Sequence, residues 1–205
     1  MKKGCFVSLA VVAGLVLVFI IYNKIQRDQE IKEAEQKEAQ RLEMIRMNKE
    51  QSINNASSEQ IEFERQRANY YNQYVNAKND IRKSQIYNEA NSYSRKYAEK
   101  HNFRFNNWYG TLKTIYTSQG GTNLFFEITS KLSDITIRYK VNYDISPQSK
   151  IYNQIADLGE GDKVLFDFEF IPDSKRGIVE ASFSESGSLR APEFNVFFHN
   201  VRTKR

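Results

Sequence analysis

Two histidines and one cysteine are all that this chain of 205 residues holds of the side chains that most often serve as general bases, thiol nucleophiles and metal ligands. Cys5 precedes a long apolar run, and a single cysteine excludes an intramolecular disulfide framework. His101 and His199 have no cysteine or second histidine at zinc-ligand spacing. Asp167 and Glu169 are paired carboxylates, a type that can do acid–base work, but they alternate with Phe166 and Phe168 and so share the outward face of one strand. Gly120-Gly121 lacks the spacing of a phosphate-cradling loop. The expectation is a non-enzyme with no catalytic, cofactor-binding or metal-binding residues.

The side chains suited to binding are cationic. Arg138 and Lys140 alternate outward on one candidate strand, and Lys175 and Arg176 follow another in a turn. Such residues grip phosphates when the surrounding field is positive. The chain carries a formal charge of +5 and an isoelectric point near 9.1. That surplus lies mainly before residue 105, however, and in the last hundred residues acids and bases nearly cancel. Glu127, Asp167 and Glu169 also share the outward surface and oppose phosphate. A protein partner fits this balance better. Nucleic-acid binding is the alternative, and it requires the C-terminal part to be cytoplasmic.

Three kinds of sequence must position these residues. Residues 5–22 (CFVSLAVVAGLVLVFIIY) form an apolar run behind Lys2-Lys3. As a helix it spans about 27 Å, close to the hydrocarbon thickness of a bilayer. The run is longer than a signal-peptide core and ends without a small-residue cleavage site, so an uncleaved single-pass anchor over residues 1–23 is expected. The short basic tail places the N-terminus inside and exports the rest.

Residues 24–105 read as a helical stalk. Neither proline nor glycine occurs from Lys24 to His101, and glutamate, glutamine, lysine, arginine and alanine dominate its first part. Ser and Asn at 52–58 mark its weak point, with Ser58 as the expected N-cap of the second piece. Apolar and aromatic residues there, Tyr70, Tyr74, Ile81, Tyr93 and Tyr97, recur at helical spacing. That stripe serves either a partner helix or self-association through the stalk, or it packs on the C-terminal domain or the preceding helix.

From residue 106 the period changes to alternation. Candidate strands are 108–117, 123–130, 135–143, 163–171, 177–183 and 194–201, with a helix at 146–158 capped by Ser146. Three strands, a helix and two strands is the order of an OB-type antiparallel β-barrel, here with a sixth strand appended. Its inward faces are Leu124, Phe126 and Ile128; Ile135, Ile137, Tyr139 and Val141; and Val164, Phe166, Phe168 and Phe170. The fold class expected is α+β: a transmembrane helix, a long helical stalk and an OB-like barrel over 106–205.

The stretches Asn107-Trp108-Tyr109-Gly110-Thr111-Leu112, Leu158-Gly159-Glu160-Gly161-Asp162-Lys163-Val164 and Ala191-Pro192-Glu193-Phe194 resemble those of uncharacterised bacterial membrane-anchored proteins with a C-terminal OB-like domain. The resemblance implies that fold and a place in the bacterial inner membrane, with the domain outside the cytoplasm. It brings no catalytic residues. The function expected is membrane-anchored scaffolding or binding in the cell envelope.

Overall fold

The structure, a computed structural model, describes the backbone of residues 4–141, 143–175 and 177–204, and side chains from Asn23 onward except those of Ile25 and Gln119. Two compact units divide the chain, Met1–Asn48 and Lys49–Arg205. Among the described residues, helix α1 (Gly4–Asn55) supplies the secondary structure of the first. Residues 26–48 of α1 are exposed, Ile31, Leu42 and Ile45 included, as expected of a helix carried by good helix formers rather than by packing. Among the described residues no helix is long and apolar enough to cross a membrane. The run 5–22, on which the anchor rests, lies outside the residues whose side chains are described.

The second unit begins at Lys49. After the break at 56–57 come α2 (Ser58–Val75) and α3 (Asp80–Lys100). Ser57, one residue before the expected cap, accepts a hydrogen bond from Gln60 N–H at 3.2 Å. The expectation of one helix from there to His101 is corrected: Asn76 caps α2 and Asn79 caps α3, and the two pack as a hairpin. Absence of proline and glycine did not keep the helix continuous, because asparagine side chains satisfy backbone groups at helix ends. Phe63, Ala68, Tyr97 and Ala98 belong to the same buried cluster as the barrel interior.

The rest of the unit is a closed five-stranded barrel in the order β1-β2-β3-β7-β4. Its strands are β1 (Arg104–Ser118), β2 (Asn123–Ser130), β3 (Ile137–Val141), β4 (Lys163–Phe170) and β7 (Glu193–Thr203). Neighbours are antiparallel except β3 and β7, which run parallel. β1 reaches both flanks: Arg104 to Thr111 pair with β4, and Thr111 to Ser118 with β2. At the changeover a Cβ on Gly110 would lie 2.5 Å from Ile128 Cγ2 and 2.9 Å from Thr129 O, so only glycine permits the approach. All the inward residues expected on β2, β3 and β4 are buried.

Two elements differ from expectation. The strand expected over 177–183 shrinks to β6 (Gly177–Ile178), which pairs with β5 (Pro172–Asp173) beside the barrel, and β7 takes the fifth barrel position rather than being appended. Residues 179–181 lie along the start of β7 through two backbone bonds, Ala181 N to Glu193 O and Asn195 N to Val179 O. The expected breaker at 186–192 contains a short helix, α5 (Glu185–Arg190), capped by Ser184. Both segments follow their contacts with α2 and α3 rather than local propensity. Helix α4 (Lys150–Ala156) lies between β3 and β4, with Ser149 rather than Ser146 as its cap.

Candidate functional site

Outward side chains of β2, β3 and β7 make one continuous face, because these strands keep their pairing register across it, and β1 joins it beyond a bulge between Leu112 and Thr114, where Tyr116 pairs with Phe125. Glu127 on β2 sits opposite Lys140 on β3, and Arg138 on β3 sits opposite Glu193 on β7. Lys140 Nζ lies 2.5 Å from Glu193 Oε2 and 3.7 Å from Glu127 Oε2. Arg138 donates to Glu193 Oε1 and holds its Nε 3.8 Å from Glu127 Oε1. The four form a closed box of two cations and two anions, in which each cation meets both carboxylates. Burial alone would raise the Glu193 carboxyl, but hydrogen bonds from Lys140 and Arg138, and their charges, hold it below the usual carboxylate range.

Aromatic side chains lie beside this box. Tyr116 is 56% exposed and stacks on Phe125 of the next strand, with centroids 5.1 Å apart. Phe197 is 40% exposed and meets Tyr143 at 5.0 Å. Tyr143 is held in place through its hydroxyl, which donates to Phe198 O at 3.3 Å and accepts from Phe198 N at 3.1 Å. Rings fixed in this way lose little freedom when a partner covers them.

The structure thus brings Arg138 and Lys140 together and neutralises them locally. Lys175 is exposed in the turn between β5 and β6, where its backbone N–H donates to Asp173 Oδ1 at 2.9 Å. Arg176 lies outside the described residues. The tyrosine stripe divides between two helices. Tyr70, Tyr93 and Tyr97 cluster between α2 and α3, where Tyr97 is buried and donates to Glu59 O at 2.8 Å. Tyr74 is half-buried with Lys83 over its ring, and Ile81 is 75% exposed just beyond the turn.

Sequence reasoning missed a second polar constellation. Gln60, Glu64 and Arg67 are fully buried on one face of α2. Gln60 binds both backbone groups of Tyr109, accepting from N–H at 2.7 Å and donating to O at 2.8 Å. Glu64 accepts from Gln60 Nε2 at 2.9 Å and from Leu132 N–H at 3.1 Å. Burial pushes its carboxyl from 4.5 up to about 7, against the pull of hydrogen bonds from Ser130, Gln60 and Leu132. Arg67 donates to Ser188 O at 2.6 Å and Ser94 Oγ at 3.2 Å, stands 4.0 Å from Glu180, and lies over the Phe194 ring at 5.6 Å.

The histidines lie elsewhere. His199 Nε2 is 3.3 Å from Glu169 Oε2, and Glu169 also meets Arg104. His101, Asn102, Arg104, Asn106 and Glu169 line an open cleft of about 520 Å³, in which none of these five carries a hydroxyl or thiol. Among the described residues no group of three or more histidine, cysteine, aspartate or glutamate side chains could hold a metal ion. In comparison with known proteins, no family model matches the chain and no curated protein does.

Proposed function

We propose that the chain is a membrane-anchored, non-catalytic binding or scaffolding protein of the bacterial cell envelope, whose barrel is of the OB type and presents its β1–β2–β3–β7 face to a protein partner. Support for the OB type comes from the strand order, the parallel β3–β7 pair and the helix between β3 and β4. Support for the anchor comes from the apolar run 5–22 and its basic flank. The protein spans the inner membrane once, with the barrel outside the cytoplasm.

One observation carries the choice of partner: the candidate face sets exposed, ordered aromatics beside cations already matched by Glu127 and Glu193. Neutral patches with aromatic anchors are the chemistry of protein recognition, whereas phosphate chains need unmatched positive charge. A photoreactive phenylalanine at position 116 or 197 in living cells tests this. The expected result is a discrete protein adduct that disappears when Phe125→Ser is added. Crosslinks to nucleic acid, or a C-terminal fusion reporter active only in the cytoplasm, would overturn it in favour of a nucleic-acid-binding module.

A further inference from the structure

Helix α2 is fastened to the barrel through polar side chains, which is unusual for a helix whose docking face is fully buried. Gln60, Glu64 and Arg67 follow one another at helical spacing, each with no exposed surface, and each bonds backbone from a distant part of the chain. Gln60 grips Tyr109 on β1, Glu64 caps the N–H of Leu132 just after β2, and Arg67 grips Ser188 on α5.

The charges around Glu64 determine what its ionisation does. Arg67, on the same helix, is bound to Ser188 and Ser94 and stands 4.0 Å from Glu180, and among the described residues no ion pair joins it to Glu64. From β3, Tyr139 brings a buried neutral hydroxyl whose ionisation burial strongly opposes. Beyond Leu132, Asp134 is paired with Lys49 at 3.1 Å. Across α2 and α3, His101 Nδ1 is 3.8 Å from Glu59. Among the described residues no cation is within ion-pair distance of Glu64, and its ionised form is held in the protein interior by hydrogen bonds from Ser130, Gln60 and Leu132. Its neutral form leaves Arg67 and Glu180 as a balanced buried pair.

We propose that protonation of Glu64 sets how firmly α2 is held on the barrel, making the contact a proton-controlled latch. The sign follows from the burial that raises its carboxyl to about 7. Docked and undocked forms are both protonated in acid, so the latch is tightest there. As pH rises from 4.5 to about 7, the undocked form ionises first and docking weakens; above that range the effect is constant. The latch acts apart from any partner of the outer face.

Amide hydrogen exchange on the full chain in detergent micelles tests it, with protection at Tyr109 and Leu132 followed from pH 5 to pH 9 after correction for the intrinsic rate. The expected loss of protection over that range is about a hundredfold, the order of magnitude for a carboxyl that goes from 4.5 undocked to about 7 docked. Glu64→Gln should flatten the profile, and His101→Gln should leave it intact. Ser130→Ala, which removes a hydrogen bond to the carboxylate, should move the midpoint upward even if Glu64→Gln folds poorly. A flat wild-type profile, a profile abolished by His101→Gln, or a Ser130→Ala midpoint that does not move would overturn the proposal.

Discussion

Replacing Phe63 with alanine tests whether α2 is part of the barrel's core or a spacer in front of it. Phe63 has no exposed surface, and its ring lies 5.3 Å from Tyr97, 5.7 Å from Trp108, 5.8 Å from Phe170, 6.0 Å from Phe194 and 6.2 Å from Tyr93. Four elements therefore meet on one side chain: α3 and the barrel strands β1, β4 and β7. Truncating a buried phenylalanine costs about 3–5 kcal/mol, and the ring contacts share that figure instead of adding to it. In a unit of this size each kcal/mol lowers the melting temperature by about 2–4 °C, so a fall of about 6–20 °C is expected. Trp108, the single tryptophan, is fully buried and adjacent, and its emission during thermal and urea unfolding reports on this unit alone. Leu42→Ala, on a 60% exposed position of α1, is the control and should stay within about 0.5 kcal/mol of wild type. A Phe63→Ala cost under about 1 kcal/mol would refute the placement of α2 in the core, because no fully buried hub of five rings yields so little.

The same placement predicts that a fragment of residues 49–205 folds with the barrel's own cooperative transition, while one of residues 106–205 does not, as read by the Trp108 melt. Gly177→Ala should destabilise by about 1–3 kcal/mol in a urea titration, since its φ is +88° and a Cβ there would lie 2.3 Å from Arg95 Cβ. Joint replacement Glu127→Gln and Glu193→Gln frees Arg138 and Lys140, and retention of the protein on a heparin column should rise markedly with a steeper salt dependence. Because the folded Glu193 carboxyl is held below its ordinary value, its contribution is present above pH 4.5 and lost as pH falls further. Melting temperatures of wild type and Glu193→Gln should accordingly converge in acid.

What could be read from the sequence follows the range of the forces involved. The barrel's inward faces were legible because alternation in β2 and β4 is a two-residue signal set by the pleat itself, and it survives whatever the rest of the chain does. Residues 177–183 also alternate, yet they form only a two-residue strand, because the fifth barrel position is filled by β7 and strand pairing is a competition that local sequence does not decide. Arg138 and Lys140 were legible as outward cations for the same reason as the core. Their neutralisation was not, because Glu193 lies more than fifty residues away and reaches them through the parallel β3–β7 pair.

The buried face of α2 shows where pattern reading fails for a physical reason. Hydrophobic periodicity selects Tyr70 and Tyr74 as the inner stripe of this helix, yet the residues with no exposure are Gln60, Phe63, Glu64 and Arg67. On the helix surface these look like a solvated flank, since amide, carboxylate and guanidinium are costly to bury without partners. The partners exist only after the barrel closes: Tyr109 is 49 positions from Gln60, Leu132 is 68 from Glu64 and Ser188 is 121 from Arg67. Each of those bonds replaces one that water would otherwise make, so the net gain is small, and it depends on geometry more than docking by leucines would. An apolar face tolerates sliding by a fraction of a turn; this one loses Tyr109, Leu132 and Ser188 together if α2 shifts. The polar face therefore specifies where the helix sits and makes the seat responsive to the charge of Glu64, and both consequences arise from long-range pairing that no window along the sequence contains.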